Sequence, residues 1–350
     1  MSSNKRIILV TPGFPAHEQD SVCIPPLQAF VMALVNQYPQ AEVIVIALHY
    51  PKRRKVYRWN NVMVYPLNGV RYFQYLKTLV LMWNLPRLLT HLHREKPIDI
   101  IHSFWLNEST FLAQRFSLKY GLPHFATIMG QDAWPANRYR KLIRFNKLHI
   151  IALSNNAADV FTKSTNQKVH SIIPWGLSGS EVTVEMNNRT IDVLGVASLI
   201  PLKNNSLFIG LMEKLISENL LANAVIAGKG PEMEPLQQLL QKLRLEKQIK
   251  LAGEIPQEEV LQLMRRSKVF LHTSSYEGQG YVFLEALAAG LPVVCFSVGF
   301  LPDSQKVHVC NDENEMLETL RKLLIQPQDY EPVSVPTIQE TVNAHWKIYF

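Results

Sequence analysis

The sequence has few cysteines and lacks the motifs of common metal sites. Its 3 cysteines (Cys23, Cys295 and Cys310) are an odd number without metal-ligand spacing, which fits a reducing compartment better than a disulfide framework. No Asp-x-Asp motif occurs, and the 11 histidines show no ligand spacing. We therefore expect a protein that uses no metal and no other cofactor.

Long hydrophobic runs and a secretory signal are also missing. The chain opens with "MSSNKRIILV" and enters strand-like sequence at once, without an apolar region that ends at a small-residue cleavage site. Its longest apolar stretch, Leu76–Leu92, is interrupted by Asn84, Pro86 and Arg87, so it falls short of the ~20 residues that span a bilayer. We expect a cytoplasmic protein that does not cross a membrane.

A third absence concerns dinucleotide cofactors, because no G-x-G-x-x-G follows the first strand. A dinucleotide-dependent oxidoreductase needs that motif and an acid about 20 residues further on. The first loop, "TPGFPAHEQDSVCIPP", contains Gly13 as its only glycine, and "GKGPEM" lies in the middle of the chain. This class of enzyme is therefore disfavoured, although it too is built of doubly wound domains.

The 350 residues are 47% hydrophobic and 19% charged, which is typical of a globular protein large enough for two domains. The net charge of +7 is unevenly distributed. Residues 1–180 contain 21 Lys+Arg and 8 Asp+Glu, whereas residues 181–350 contain 15 and 21. The basic half could face an anionic surface or substrate, or its charge could be an incidental surface bias.

Short β-branched apolar runs alternate with helical patterns in both halves, from "RIILVTP" to "PVVCFSVG". Continuous apolar strands separated by helices predict parallel sheets covered on both faces. The fold class is therefore α/β, with two doubly wound Rossmann-like domains that face a cleft. We place the first domain at residues 1–178 and the second at 179–330, divided within the polar segment 174–190.

The segment "YEGQGYVFLEALAAGLPVV" (Tyr276–Val294) contains two acids in an otherwise apolar and glycine-rich stretch. Its spacing predicts a loop with Glu277, then a helix from about Tyr281 to Ala289 that contains Glu285 and ends at Gly290. The N–H groups at the start of such a helix can bind phosphate. An internal salt bridge for Glu285 and an exposed position for Glu277 are the simpler alternatives.

This pattern resembles the retaining GT-B glycosyltransferases of family 4, which use nucleotide sugars. That family's signature is a Ser followed by Glu-Gly-x-Gly, then Leu-Glu-Ala and Gly-x-Pro-Val. The elements stand here as Ser274, Glu277–Gly280, Leu284–Ala286 and Gly290–Val293. The resemblance extends along nearly the whole chain, is more specific in the second half, and implies that residues 331–350 return to the first domain.

The resemblance also implies roles for individual residues. Glu285 would bind the ribose hydroxyls of the donor and Glu277 a hydroxyl of the transferred sugar, while Lys203 would neutralise the departing diphosphate. Lys203 could also be a solvated loop lysine, and "GKG" an ordinary turn. The implied catalytic residues are Lys203, Glu277 and Asp132. The implied donor-binding residues are Gly13, Ser198, Gly228, Lys229, Gly230, Ser274, Gly278, Gln279, Gly280, Tyr281 and Glu285.

Several positions depart from the family pattern. Ser198 stands where Arg is common, so one diphosphate contact is in doubt unless Lys229 or another cation replaces it. Met129 stands where His is frequent, which leaves Asp132 as the polar candidate in that loop, with a helix N-cap as its alternative role. Trp175 occupies a position where Asn is usual.

Residues 71–96 mix aromatic, apolar and basic side chains. They predict either an amphipathic surface that rests on anionic lipid at the inner face of the plasma membrane or a helix pair packed in the core with basic outer faces. Nucleic-acid binding is not expected, because no module for it accompanies the basic half.

The sequence thus predicts a metal-independent hexosyltransferase. It would move a sugar from a UDP- or GDP-sugar to a hydroxyl of a glycan or lipid-linked acceptor, with retention of configuration, in the synthesis of surface polysaccharide or glycolipid. A protein that binds nucleotide sugars but has lost transfer is the alternative, motivated by Ser198 and Met129.

Overall fold

The computed structural model describes residues 5–52, 55–67, 74–179, 189–218, 220 and 222–350. Its contacts divide the chain into two compact units. Unit 1 comprises Met1–Trp175 together with Thr337–Phe350, and unit 2 comprises Gly176–Pro336. From the sequence we expected divisions after residues 178 and 330, whereas the contacts divide the chain after residues 175 and 336. Residues 180–188 of the expected boundary segment, 174–190, lie outside the described residues.

The described elements follow one another as strands and helices in near-regular alternation. The strands are β1 (Arg6–Gly13), β2 (Glu42–Tyr50), β3 (Tyr57–Trp59), β4 (Val62–Pro66), β5 (Ile100–Phe104), β6 (His124–Ile128), β7 (His149–Ala152), β8 (Ser171–Ile172), β9 (Ile191–Val196), β10 (Ala224–Ala227), β11 (Ile249–Gly253), β12 (Ser267–His272), β13 (Val293–Cys295) and β14 (Val307–Val309). The helices are α1 (Pro25–Gln37), α2 (Gln74–Glu95), α3 (Glu108–Tyr120), α4 (Asn155–Thr165), α5 (Asn205–Ser217), α6 (Met233–Leu243), α7 (Gln257–Arg265), α8 (Tyr281–Ala288), α9 (Glu313–Ile325) and α10 (Ile338–Tyr349).

Unit 1 is built on an eight-stranded sheet in the order β3-β4-β2-β1-β5-β6-β7-β8. Its strands pair in parallel except for β3 with β4. Alternate residues of the central strands point to opposite faces. Ile8 of β1 and Ile101 of β5 lie in register and face α2 and α3. Ala126 of β6 and Ile150 of β7 continue the same face beneath residues 139–148 and α4.

The opposite face of this sheet contacts the last helix of the chain. His102 of β5 is fully buried, and its Nδ1 lies 2.5 Å from the hydroxyl of Tyr349 in α10. The α10 helix begins with a capping box at Thr337, in which Thr337 and Glu340 bond each other's backbone N–H groups. His345 of α10 packs edge-on against Phe30 of α1, with ring centroids 4.9 Å apart. The final helix is therefore part of unit 1.

Unit 2 contains a parallel sheet of six strands in the order β11-β10-β9-β12-β13-β14. Helices α5, α6 and α9 cover one face and α7 and α8 the other. The order reverses direction between β9 and β12, and ligands of doubly wound sheets bind beyond the carboxyl ends of strands at such a point. The loops that follow β9 and β12 are therefore the region in which to seek the site.

The structure confirms the predicted class, an α/β chain with two mainly parallel Rossmann-like sheets, while the cleft between the domains stays a prediction. Every apolar run chosen from the sequence forms a strand, although β3, β4, β8 and β14 were not predicted. Each of these is five residues or shorter. Within the described ranges, no helix combines the length and apolarity that crossing a bilayer requires.

Candidate active site

The glycine-rich loop after β12 leads directly into α8. Gly280 precedes the helix with φ 74°, a left-handed conformation that is strained for other residues. The helix then begins at Tyr281, ends at Ala288 and is followed by Gly290, within one residue of the predicted bounds. Glu277 lies in the loop and Glu285 is the fifth residue of the helix, as the spacing predicted.

Glu277 is the centre of a buried cluster of charged groups, since only 9% of its surface is exposed. Its Oε1 lies 2.5 Å from Nε2 of His272 and also accepts a hydrogen bond from Nζ of Lys203. His272 is the last residue of β12 and is 3% exposed. A single carboxylate oxygen therefore contacts side chains from a strand and from a separate loop.

These contacts keep Glu277 ionised. Burial by itself would raise the pKa of this carboxyl group. The hydrogen bond and charge of His272 and the ammonium of Lys203 outweigh burial and lower the pKa of Glu277 to about 2. The loop thus presents a permanent negative charge at the end of the sheet, and a positively charged side chain touches it.

Lys203 reaches Glu277 because a short 3₁₀ helix, Pro201–Lys203, is fixed against the loop after β12. The hydroxyl of Thr273 donates to the carbonyl oxygens of Lys203 and Asn204, at 2.9 Å each. Ser274 donates to the carbonyls of Tyr276 at 2.8 Å and Leu202 at 3.2 Å. The predicted donor-binding residue Ser274 therefore has a structural role in joining the two loops.

Glu285 is 8% exposed in the middle of α8. Its Oε1 accepts a hydrogen bond of 2.8 Å from Nε2 of Gln257, the first residue of α7. An amide balances a carboxylate less strongly than a cation does. At Oε1, Glu285 thus has a neutral amide donor, whereas Oε1 of Glu277 accepts from the ammonium group of Lys203.

The loop between Gly278 and Tyr281 is fixed by a neighbouring turn that was not predicted from the sequence. The N–H of Phe300 donates to the carbonyl of Gln279 at 2.7 Å. A Cβ on Gly299 would lie 2.3 Å from the same carbonyl oxygen, so the close packing requires glycine there. The hydroxyl of Tyr281 donates to the carbonyl of Gly176 at 3.3 Å. The sequence "SVGF" (residues 297–300) contained a signal for this turn, because a glycine stands there just after a strand.

Gly228 and Gly230 follow β10 and pack on the loop after β9. A Cβ on Gly228 would lie 1.8 Å from the carbonyl oxygen of Ala197, and one on Gly230 would lie 2.1 Å from that of Leu199. Their small size is therefore required by the protein's own backbone. Lys229 between them forms an exposed ion pair with Glu254, and Ser198 is exposed in the facing loop. Neither residue contacts the Glu277 cluster in the described interactions.

The two candidates from the first half, Gly13 and Asp132, lie in unit 1. Asp132 accepts hydrogen bonds from the backbone N–H groups of Gly130 at 2.7 Å and Leu106 at 2.8 Å. Burial raises the pKa of Asp132, and these N–H groups oppose that rise. Gly13 ends β1 and packs on Tyr50 and Cys23. The local geometry thus gives Asp132 a structural role, close to the capping role that was its alternative.

Trp175, which departs from the family pattern, is buried and stacks on Phe30 with ring centroids 5.9 Å apart. It belongs to the core of unit 1. Among the described residues, no group of three or more His, Cys, Asp or Glu side chains is arranged to hold a metal ion. Metal independence itself stays a prediction.

The chain matches two family models, one in each half. "Glycosyltransferase Family 4" matches residues 27–177, and "Glycosyl transferases group 1" matches residues 183–332. Together they account for 301 of the 350 residues. The chain belongs to the GT-B glycosyltransferases of family 4. The Glu277 cluster and α8 of this family 4 chain lie within the second match, and Asp132 lies within the first.

Two curated relatives are identical to this chain at about a quarter of the aligned positions. The family 4 chain is 25% identical over 262 residues to the phosphatidylinositol N-acetylglucosaminyltransferase gpi3 subunit of Schizosaccharomyces pombe, covering 70% of this chain and 57% of that protein. It is 24% identical over 277 residues to a human phosphatidylinositol N-acetylglucosaminyltransferase subunit, covering 75% and 56%. The chain thus matches little more than half of each relative's length.

Solved structures agree on the fold. Sucrose-phosphate synthase from Thermosynechococcus elongatus superposes with a TM-score of 0.74 at 15% identity, over 99% of this chain and 96% of that one. Anabaena HepE, solved in complex with UDP and glucose, gives 0.66 at 17% identity, over 99% and 95%. At these identities the likeness shows the GT-B fold alone.

Proposed function

We propose that this protein transfers a hexose-type sugar from a UDP- or GDP-sugar to a hydroxyl group of a glycan or lipid-linked acceptor, in the synthesis of a surface polysaccharide or glycolipid. The observation that carries the proposal is the contact of Lys203 and His272 with Glu277 beside the start of α8. The cluster puts the ammonium group of Lys203 and the carboxylate of Glu277 where strands β9 and β12 end. Family membership and the names of the two relatives support transfer to a lipid acceptor.

In the proposed donor complex, Glu285 accepts hydrogen bonds from the two ribose hydroxyls. At Oε1 these hydroxyls would take the place of the amide of Gln257. The phosphates would lie at the start of α8, where the helix dipole favours their negative charge.

The contact between Lys203 and Glu277 suggests how the leaving group is stabilised. When the diphosphate binds, the ammonium group of Lys203 turns from the carboxylate to the phosphate oxygens. His272 keeps Glu277 in place, and the second carboxylate oxygen accepts a hydrogen bond from a hydroxyl of the sugar. A side-chain cation that changes partners in this way stabilises the charge that develops as the glycosidic bond breaks.

The bond changes of the proposed reaction are simple. The bond between the anomeric carbon and the diphosphate oxygen breaks, and the acceptor oxygen bonds to the same carbon. The proton of the acceptor hydroxyl passes to the departing diphosphate. With attack on the face from which the diphosphate leaves, the product keeps the configuration of the donor, and the reaction requires no metal.

The test is a donor panel with purified protein: UDP-glucose, UDP-N-acetylglucosamine, UDP-galactose and GDP-mannose, with and without EDTA. Release of nucleoside diphosphate that depends on a lipid or glycan extract supports transfer, and NMR coupling of the product's anomeric proton reports retention. Mass spectrometry of the product identifies the acceptor. The same panel run by calorimetry tests the alternative, because donor binding without release under any condition would replace the transferase with a nucleotide-sugar-binding protein.

A further inference from the structure

A single oxygen of the Glu277 cluster, Oε1 of Glu277, contacts two side chains at once. Nε2 of His272 lies 2.5 Å away, and Nζ of Lys203 reaches the same atom from the other loop. The side chains of His272 and Lys203 are only 3% and 16% exposed. Charges this far from water interact strongly with one another. The protonation of one member of the cluster therefore depends on the position of the other two.

The ionised state of Glu277 fixes the role of each nitrogen of the His272 ring. A carboxylate can only accept hydrogen bonds, so Nε2 of His272 donates and carries a hydrogen. In the neutral ring the other nitrogen, Nδ1, then has a lone pair. A further proton would bind at Nδ1 and would leave the hydrogen bond to Glu277 intact.

Among the described residues, the charged groups that face His272 are the other two members of the Glu277 cluster. The ring stacks on Phe270 at 6.0 Å and meets Phe283 of α8 edge-on at 4.9 Å. The one acid of α8 bonds a glutamine of α7. On β13, Cys295 is in register with His272, and burial raises the pKa of its thiol to about 12, so the thiol is neutral. On the other side, β9 pairs with β12 through apolar residues.

The contact of Lys203 with Glu277 opposes a positive charge on His272. With a neutral ring, the ammonium group balances the carboxylate and the cluster has no net charge. A charged ring would place a second cation against the same oxygen, close to the first, and like charges disfavour each other's charged form. Removal of the ammonium group would reverse this balance, because a buried carboxylate without a cation favours a charged partner.

The next step rests on the proposed function, in which the diphosphate of the donor draws the ammonium group of Lys203 away from Glu277. Two phosphate charges arrive at the same time, and both changes favour a positive ring. We infer that His272 takes up a proton from the solvent when the nucleotide sugar binds, and returns it when the diphosphate leaves. His272 is then a positioning residue. As an imidazolium it holds Glu277 by a charge-assisted hydrogen bond while Lys203 contacts the phosphates.

The test is calorimetric titration of the full chain with each of the four nucleotide sugars of the donor panel, in buffers that differ in ionisation enthalpy. The slope of binding enthalpy against buffer enthalpy gives the number of protons taken up. The phosphates of a nucleotide sugar do not titrate near neutral pH, so this proton belongs to the protein. At about pH 7.5 we expect uptake of up to one proton per donor. The Kd should rise with pH, by up to about tenfold per pH unit.

The variant His272→Gln separates the proton from the hydrogen bond. A glutamine amide can donate to Glu277 but cannot take up a proton. The donor should therefore still bind, while proton uptake falls to zero and the Kd no longer changes with pH. His308→Asn is the matched control, because it removes a histidine of unit 2 on the edge strand β14. It should keep the proton uptake of wild type.

A second measurement uses wild type alone and so does not depend on the folding of a variant. In the nitrogen NMR spectrum of histidine rings, the signals of His272 should change from the neutral to the charged pattern when the donor is added. An unchanged ring, donor binding without proton uptake, or equal uptake in His272→Gln would overturn the inference and leave the proposed function standing. A failure of all four donors to bind would remove the proposed function, and this inference with it.

Discussion

The two units have the same kind of sheet but use their buried histidines differently. In unit 1, His102 lies in the middle of β5 and contacts Thr127 at 2.7 Å and Tyr349 at 2.5 Å. In unit 2, His272 is the last residue of β12 and faces Glu277 in the following loop. A buried polar group within a strand joins parts of the core. The same group at the carboxyl end of a strand can act on a ligand.

The two loop carboxylates show the same contrast. Asp132 of unit 1 is held by backbone N–H groups, and Glu277 of unit 2 by the side chains of Lys203 and His272. A backbone donor cannot leave without unfolding its loop, whereas a lysine side chain changes partners by rotating its bonds. Asp132 is therefore suited to stability and Glu277 to chemistry, although sequence reasoning placed both in the catalytic set.

The change with the largest expected effect is Lys203→Ala. If Lys203 stabilises the departing diphosphate, kcat should fall by about a hundredfold to a thousandfold, while donor affinity changes less. Steady-state kinetics with the donor found active in the panel provide the measurement. Lys214→Ala, which removes an exposed lysine of the neighbouring α5, should retain full turnover; equal losses in the two variants would contradict a special role for Lys203.

The next effect concerns the pH dependence of stability. The pKa of Glu277 is about 2 in the folded protein and 4.5 in its unperturbed state. The ionised pair thus stabilises the fold above pH 4.5, and this contribution is lost as the pH falls from about 4.5 towards 2. The pKa difference limits this contribution to the free energy of unfolding to about 3 kcal/mol. Urea unfolding of wild type and Glu277→Gln should show a difference in stability that shrinks through that window; a constant difference would exclude the charge as its source.

A smaller loss is expected at the corresponding carboxylate of unit 1. Asp132→Ala leaves at least two loop N–H groups without their acceptor, so the free energy of unfolding should fall by about 2 kcal/mol. Asp132→Asn retains one acceptor oxygen and should recover part of it. Thermal unfolding measures both variants. Unchanged stability together with a hundredfold loss of kcat would show that Asp132 is catalytic. The contrast between Asp132 and Glu277 would then no longer hold.

Glu285→Gln should have the smallest effect, on binding alone. The neutral amide accepts weaker hydrogen bonds than the carboxylate, so the Kd for UDP or GDP should rise about tenfold, equivalent to about 1.4 kcal/mol. Calorimetry with both nucleotides measures this change and also identifies the preferred base. Glu213→Gln on the outside of α5 serves as the comparison. Identical Kd values for Glu285→Gln and wild type would show that the ribose does not bind Glu285.

The second half of the chain could be predicted from its sequence in more detail than the first. The glycines and Pro292 marked the end of β12, the loop and the bounds of α8 because each has a steric reason to stand there. The apolar runs predicted both sheets because parallel strands are covered on both faces. Short edge strands such as β3 and β14 offered no comparable signal.

The partners of the site residues could not be predicted from spacing. His272 and Glu277 are five residues apart, but Lys203 and Glu277 are separated by 74 residues and meet only because β9 and β12 are neighbours in the sheet. Likewise, Gln257 reaches Glu285 through the packing of α7 on α8. Ser274, Gly228 and Gly230 match the family pattern. In the structure they pack on, or bond to, backbone carbonyls of the protein's own loops.

The path of the chain through the two units affects how the molecule is made. Unit 2 is a continuous segment whose first and last parts are joined by a hydrogen bond of 2.9 Å from the N–H of Leu177 to the carbonyl of Pro336. Unit 1 needs α10, which the ribosome synthesises after all of unit 2. During translation, unit 2 can therefore finish folding before unit 1. Until α10 has been synthesised, the ring of His102 lacks its contact with Tyr349. A chaperone that binds nascent chains would find its target on the unit that was made first.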